Sequence, residues 1–360
     1  MNNIKRYNIF ILLSTMARNI PEIYSSVLLY KMGYSLRNIL LFFTILYFTG
    51  AITSFITMHT LKKIKPKYIL ILSSIIFSLS FYYMTTMPKT IHNLIIFSII
   101  YAIGSYTYHT LRHYYAIKAL DNNKKENIGN ILIFTNIAII ISSLLGGYIE
   151  SKLSTIVLSL IVVILSIISF IPLFKFETNI TSKEIKYPKI EKNKLLFFIL
   201  EQAKVINLSL EPLYLYLFIN NKITYVGLYN VILGISACIF VYFFTRKINE
   251  QKYFKYLNII FCIFLVLKIN IYNKYLILLI GLFEGLGIKM FEVVSAENIY
   301  NIKKDINISG YIITVELIFC LVRSIICLIA YFINDIKIIL YMTIILIFLV
   351  SFIKRNTTNN

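Results

Sequence analysis

The sequence predicts an all-α polytopic membrane protein of twelve transmembrane helices, arranged as two parallel six-helix halves. Three observations carry that expectation. Of the 360 residues 58% are hydrophobic, well above the roughly 45 to 50% usual in soluble domains. The apolar residues gather in runs long enough for a bilayer core, which takes roughly 20 residues of helix to cross about 30 Å. The basic residues between the runs are dense in every second connection and sparse in the others, the pattern of short loops on opposite sides of a membrane.

The runs cover 7–30, 37–60, 68–87, 92–118, 129–149, 154–174, 195–220, 223–245, 256–271, 274–299, 308–331 and 336–353. The first follows Lys5 and Arg6; it is too long for a signal-peptide core and lacks a small-residue cleavage site, so it is expected to stay as a helix. Arg37 opens the second, and Lys62, Lys63, Lys65 and Lys67 separate it from the third, which stops at Pro88. Lys118, Lys124 and Lys125 divide the fourth from the fifth, and Glu150 and Lys152 divide the fifth from the sixth. Lys194 precedes the seventh, which ends before Lys222; Arg246 and Lys247 close the eighth. The ninth, between Lys255 and Lys274, is the shortest. Lys303 and Lys304 follow the tenth, Asp335 follows the eleventh, and Lys354 and Arg355 close the twelfth.

Charge gives the orientation. Of the 36 Lys and Arg, 23 fall in connections on the side of the N-terminus and eight on the other, leaving Arg18, Arg112, Lys204, Lys289 and Arg323 within spans. Both termini are therefore expected in the cytoplasm, with the chain multi-pass in the cytoplasmic membrane. The formal charge of +20 would suggest nucleic acid in a soluble protein, but here it is spent in loops, and no nucleic-acid partner is expected. The longest stretch outside the membrane, 175–194, reads as a charged cytoplasmic linker between an N-terminal half, 1–174, and a C-terminal half, 195–360. No room exists for a soluble catalytic domain.

Cysteine and histidine point to no metal or catalytic centre. Cys238, Cys262, Cys320 and Cys327 lie in apolar runs without CxxC spacing. His109 and His113, four apart on one helix face, are the only close histidine pair and have no cysteine or aspartate beside them. No cofactor is expected.

Two echoes relate the halves. Lys124, Lys125, Glu126, Asn127, Ile128 and Gly129 after the fourth span resemble Lys303, Lys304, Asp305, Ile306, Asn307, Ile308 and Ser309 after the tenth. Pro21, Glu22, Ile23 and Tyr24 in the first span meet Glu211, Pro212, Leu213 and Tyr214 in the seventh. Both align span n with span n+6 in the same direction, a parallel repeat.

Charges inside the spans are the most informative feature, since each costs at least about 2.5 to 3.5 kcal/mol at mid-bilayer unless it faces a partner or water. They recur every third span: Arg18 and Glu22 in the first; His109, Arg112 and His113 in the fourth; Glu201, Lys204 and Glu211 in the seventh; Glu284, Lys289, Glu292 and Glu297 in the tenth. Spans one, four, seven and ten are thus expected to wall a central cavity. At about 100° per residue, Arg18 and Glu22 share a stripe, Lys204 and Glu211 are nearly eclipsed, and Glu284, Lys289 and Glu292 fit one broad face. Glu316 and Arg323, seven apart in span eleven, can pair. Arg18 with Glu22, and Glu316 with Arg323, also read as ion pairs that only hold the bundle, and Arg112 as a side chain snorkelling to the near membrane face.

Twelve spans, a charged linker, parallel halves and charged helices one, four, seven and ten together resemble the major facilitator superfamily. Lys62, Lys63, Lys65 and Lys67 keep the basic residues of that family's loop between spans two and three but lack its Asp and second Gly. Arg112 is similar to the family's span-four arginine, without the Gln-Gly that often follows it, and Gly146 and Gly147 look like the end of its antiporter motif, without the Gly-Pro. The resemblance implies a monomeric secondary transporter that moves a small-molecule substrate across the lipid bilayer by alternating access. The charges favour a small polar or charged solute coupled to protons, as symport or antiport. Arg18, Glu22, His109, Arg112, Lys204, Glu211, Glu284 and Glu292 are the candidates for substrate binding and proton coupling, with Arg112 and Glu292 as a cytoplasmic gate. Efflux of amphipathic drugs is the alternative, and an intramembrane enzyme built on His109 and His113, or a receptor without transport, is the reading from another class.

Overall fold

A computed structural model describes residues 3–119, 124–175, 185–247, 250–300 and 306–353. Among them twelve α-helices and no strand follow in order. In the first half stand α1 (Asn3–Lys31), α2 (Leu36–Thr60), α3 (Pro66–Thr86), α4 (Ile91–Ala119), α5 (Lys124–Lys152) and α6 (Thr155–Ser169). In the second stand α7 (Lys192–Tyr214), α8 (Ile223–Lys247), α9 (Glu250–Asn270), α10 (Lys274–Tyr300), α11 (Ile308–Ile333) and α12 (Ile336–Leu349). The short ninth run becomes a 21-residue helix because its polar first turns, from Glu250, are also helical.

Short polar signals set the helix ends. The side chains of Ser35, Ser154, Asn307 and Asp335 accept hydrogen bonds from backbone N–H groups in the first turns of α2, α6, α11 and α12, meeting donors that a helix start leaves without partners. Pro66 opens α3, where its missing N–H costs nothing. Gly33, at φ +88°, makes the tight turn from α1 to α2. Pro21 sits inside α1 and Pro212 inside α7, and directly beyond Pro212 the chain widens into a π-helical turn, Leu215–Ile219.

Eight helices are long and apolar enough to cross a membrane by length and composition. Of the other four, α12 is short, and α1, α7 and α10 are three of the four helices that carry the recurrent charges. Their deficit of hydropathy follows from the charges they turn into the bundle, where Arg18, Lys204, Glu211, Glu284 and Lys289 are buried. The lipid-facing work falls to outer helices, as in α6, where Ile156, Leu160, Ile164 and Ile167 form an exposed apolar stripe at three- and four-residue spacing.

The packing is twofold. Within the first half α1 meets α5 and α6, α2 meets α4, and α3 meets α4 and α6; adding six to every number gives contacts that the second half also makes. Between the halves α2 packs on α11 and α5 on α8, and each of these pairs becomes the other when the halves are exchanged. The two echoes fall on equivalent helices, α1 with α7 and the openings of α5 and α11, although Lys303, Lys304 and Asp305 lie outside the described residues. So do 176–184 of the predicted linker, Lys354 and Arg355. The described end of the linker runs past α2 and α11: the Tyr187 hydroxyl lies 3.5 Å from His59 Nε2, and the Lys186 carbonyl sits where Gly310 has no Cβ to exclude it.

Candidate functional site

A cavity of about 430 Å³ lies between the halves, a size suited to a small molecule. It is walled by α1, α4, α7 and α10 and also by α2, α5 and α11. Tyr7, Ile128 and Tyr300 line it near the bundle end that holds the N-terminus, and Phe42, Phe43 and Tyr101 line it toward the other end. At that other end α1 and α7 approach, with the rings of Tyr30 and Tyr216 6.4 Å apart. Tyr24 of α1 donates to the Ser143 carbonyl of α5, 2.8 Å away, where Gly227 of α8 packs against both.

Four cationic side chains (Arg112, Lys204, Lys289, Arg323), four carboxylates (Glu22, Glu201, Glu292, Glu316) and both His109 and His113 line the cavity. In the first half Glu22 accepts from the Ser105 hydroxyl at 3.3 Å and faces His109 Nε2 at 3.8 Å. In the second half Lys204 stands 3.6 Å from Glu201, and Lys289 holds Glu292 one turn along α10. Arg323 donates to Gln202 at 2.8 Å and reaches Tyr106 of the opposite half at 3.5 Å. His113 also crosses the halves: Nε2 lies 3.2 Å from Glu316 and Nδ1 2.9 Å from the Tyr300 hydroxyl. The tautomer protonated at Nε2 satisfies both contacts. Arg112 differs from the other cations, because among the described residues no side chain accepts from its guanidinium. Tyr7 donates instead to its backbone carbonyl at 2.9 Å.

Helical spacing identified the charges but not always their partners. Glu22, His109, Arg112, Lys204 and Glu292 face the cavity; Arg18, Glu211 and Glu284 do not. Arg18 turns away from Glu22, and its guanidinium carbon lies 4.3 Å from the Phe77 ring centroid and 3.9 Å from that of Tyr108. Glu316 and Arg323 do not pair with each other, since α4 and α7 offer each a nearer partner. Arg112 and Glu292 share the cavity, but no ion pair within 4 Å joins them and Lys289 takes the carboxylate. Glu284 parts from Lys289 and Glu292: it and Glu211 both bind Lys268, 2.8 Å from each Glu284 oxygen. Lys268 reads in the sequence as a loop charge because it stands in the last turn of α9, yet it is only 1% exposed. His113, Glu201, Lys289, Glu316 and Arg323 were visible as span charges, but only packing shows that they line the cavity. Among the described residues no three His, Cys, Asp or Glu side chains group as a metal site.

No curated protein matches the sequence. Among solved structures, a bacterial homologue of the iron transporter ferroportin in an outward-facing state is similar, with a TM-score of 0.69 at 10% identity over 98% of each chain. The nucleoside transporter NupG gives a TM-score of 0.66 at 13% identity, again over 98% of each chain. At such identities these likenesses speak for the fold. The sequence profile of the Major Facilitator Superfamily matches residues 7–354. That match begins in α1 and ends beyond α12, so it takes in both halves and the cavity between them: the chain belongs to the Major Facilitator Superfamily and is a secondary transporter, not an enzyme.

Proposed function

We propose that this transporter moves a small polar or charged solute by alternating access, coupled to protons. The observation that carries this reading is the cavity wall, with four cations, four carboxylates and two histidines around about 430 Å³. A desolvated site lined by so many charges favours a solute that satisfies some of them and disfavours a purely apolar one. Arg112, whose guanidinium no side chain among the described residues holds, is the natural partner for an acidic group on that solute, by a bidentate contact. Glu22 and His109, 3.8 Å apart and partly exposed to the cavity, can exchange protons with its water. We further propose that the protein acts as a monomer of the cytoplasmic membrane with both termini in the cytoplasm, divided as 1–174, 175–194 and 195–360.

Uptake of radiolabelled solutes into proteoliposomes under an imposed pH gradient tests the function. Flux of a charged or zwitterionic solute that collapses with a protonophore is the expected result; no gradient-dependent flux of any solute would overturn it. The aromatic lining by Phe42, Phe43, Tyr47, Tyr101, Tyr106 and Phe319 favours amphipathic efflux as the second reading. Including amphipathic cations in the same panel separates the two.

A further inference from the structure

Outside the cavity, the second half encloses another group of charges. Glu211 of α7, Lys268 of α9 and Glu284 of α10 are 3%, 1% and 0% exposed, and none of them lines the cavity. Lys268 Nζ binds both carboxylates. Tyr229 of α8 donates its hydroxyl to Glu284 at 2.5 Å. Tyr214 caps the group from α7, donating to the Ile269 carbonyl at 3.0 Å, with Tyr272 and Tyr341 beyond it. Four helices thus converge on one ammonium and two carboxyl groups.

The arithmetic of charge decides what the group can hold. With both glutamates ionised, one cation faces two anions and the group carries a net negative charge in a sealed interior. Burying such a charge costs several kcal/mol, and the group becomes neutral by taking up one proton. Lys268 donates to both carboxyl groups, and Tyr229, which donates to Glu284, also lies within reach of Glu211. Its one hydroxyl proton serves one carboxyl group at a time, so the other, Glu211 in this structure, has a free valence for the proton. Alongside Glu211 the α7 backbone is interrupted by Pro212 and then by the π-helical turn Leu215–Ile219, a feature frequent at functional sites.

We propose that Glu211 and Glu284 share one dissociable proton across Lys268, in a site within the C-terminal half that is walled off from the solute cavity. The site takes up H⁺ to give one carboxylic acid, one carboxylate and one ammonium, and releases it to give two carboxylates and one ammonium. Proton and solute then occupy separate places, linked through α7 and α10, which carry Glu211 and Glu284 nearer the end away from the N-terminus and cavity residues Glu201, Lys204, Lys289 and Glu292 one or more turns further along. This rests on the proton-coupled reading above.

Infrared difference spectra of the intact protein in lipid nanodiscs, recorded between acid and alkaline pH, test it. The expected result is a protonated-carboxyl C=O band, shifted by deuterium exchange, that is lost in both Glu211→Gln and Glu284→Gln. Either substitution leaves one carboxylate opposite Lys268, with no proton needed. A band missing from the native protein, or unaffected by both substitutions, would overturn the proposal. Loss in one variant alone would assign the proton to a single residue and overturn the sharing. Should a glutamine variant fail to fold, Tyr229→Phe removes only the hydroxyl beside Glu284 and Glu211: a change in the band frequency is expected, and an unchanged band counts against the site. The spectrum is read without transport, so a protein that moves solute under a pH gradient but lacks this band keeps its proposed function and loses only this site.

Discussion

Arg18 shows how a buried charge can serve structure where its spacing suggested function. Its guanidinium is held between the rings of Phe77 and Tyr108 and donates to the Gly104 carbonyl at 3.3 Å, so one α1 side chain ties α3 and α4 to its own helix. Desolvated cation–π contacts are worth about 2 kcal/mol or more. Arg18→Ala should therefore lower stability by about that amount, and Arg18→Lys should recover only part, because an ammonium cannot stack on two ring faces. The chain has no tryptophan, but Cys262, Cys320 and Cys327 are buried, so thermal unfolding followed with a thiol-reactive fluorophore reads the change directly. An equal melting temperature for Arg18→Ala and the native protein would refute the structural role. Lys268 gives a sharper case at the same scale. Lys268→Ala leaves two carboxyl groups in the interior without their cation and should cost about 3–5 kcal/mol, as broken buried pairs do. Adding Glu211→Gln should restore part of that loss, and full additivity of the two changes in the same melting assay would show that the side chains are not coupled.

At the scale of helices, much of the architecture was legible. Apolar runs, loop charge and the recurrence of charged spans each reflect a helix meeting lipid, water or a cavity, and those encounters act on composition directly. What stayed hidden depends on how one helix is rotated against another. Lys268 reads as a loop lysine because it ends its helix, and only the approach of α7 and α10 turns its side chain inward. Glu316 and Arg323 are seven apart, yet the nearness of His113 and Gln202 decides their partners. Spacing along one helix cannot express that competition. Close contacts between helices have the same origin. A Cβ on Gly285 would lie 2.0 Å from Ser236 Oγ and 2.4 Å from the Leu233 carbonyl of α8, and backbone cannot move aside as a side chain can. Gly285→Ala should destabilise the protein by about 1–3 kcal/mol through overpacking. Pairing it with Ser236→Ala should rescue only the smaller share, since the Leu233 carbonyl remains. Gly147→Ala, whose nearest neighbour is the Tyr24 hydroxyl at 3.1 Å, should cost less; a melting temperature as low as that of Gly285→Ala would contradict this ranking.

For the whole molecule, the twofold exchange of α2–α11 with α5–α8 provides two equivalent hinging contacts around the cavity, and the end away from the N-terminus is closed by the approach of Tyr30 and Tyr216. With the halves paired in this way and that end closed, the structure is one of the two states that alternating access requires. In the other, the Tyr30–Tyr216 approach and the seat of Tyr24 against Gly227 must part, and the cross-half contacts of His113 with Glu316 and Tyr300 must be remade. A covalent tie at the closed end should prevent this. Ser25 lines the cavity, so Ser25→Cys in proteoliposomes should react with a membrane-impermeant maleimide added on the side of the closed end, at a rate set by how often that end opens. In a chain that also carries Tyr30→Cys and Tyr216→Cys, bridged beforehand by a short cleavable linker across positions whose rings stand 6.4 Å apart, that labelling should fall at least about tenfold, equivalent to withholding about 1.4 kcal/mol or more of opening. Cleaving the linker should restore it. Undiminished labelling with the bridge in place would mean that Ser25 reaches that side by another route, and that the two halves do not open there as rigid bodies.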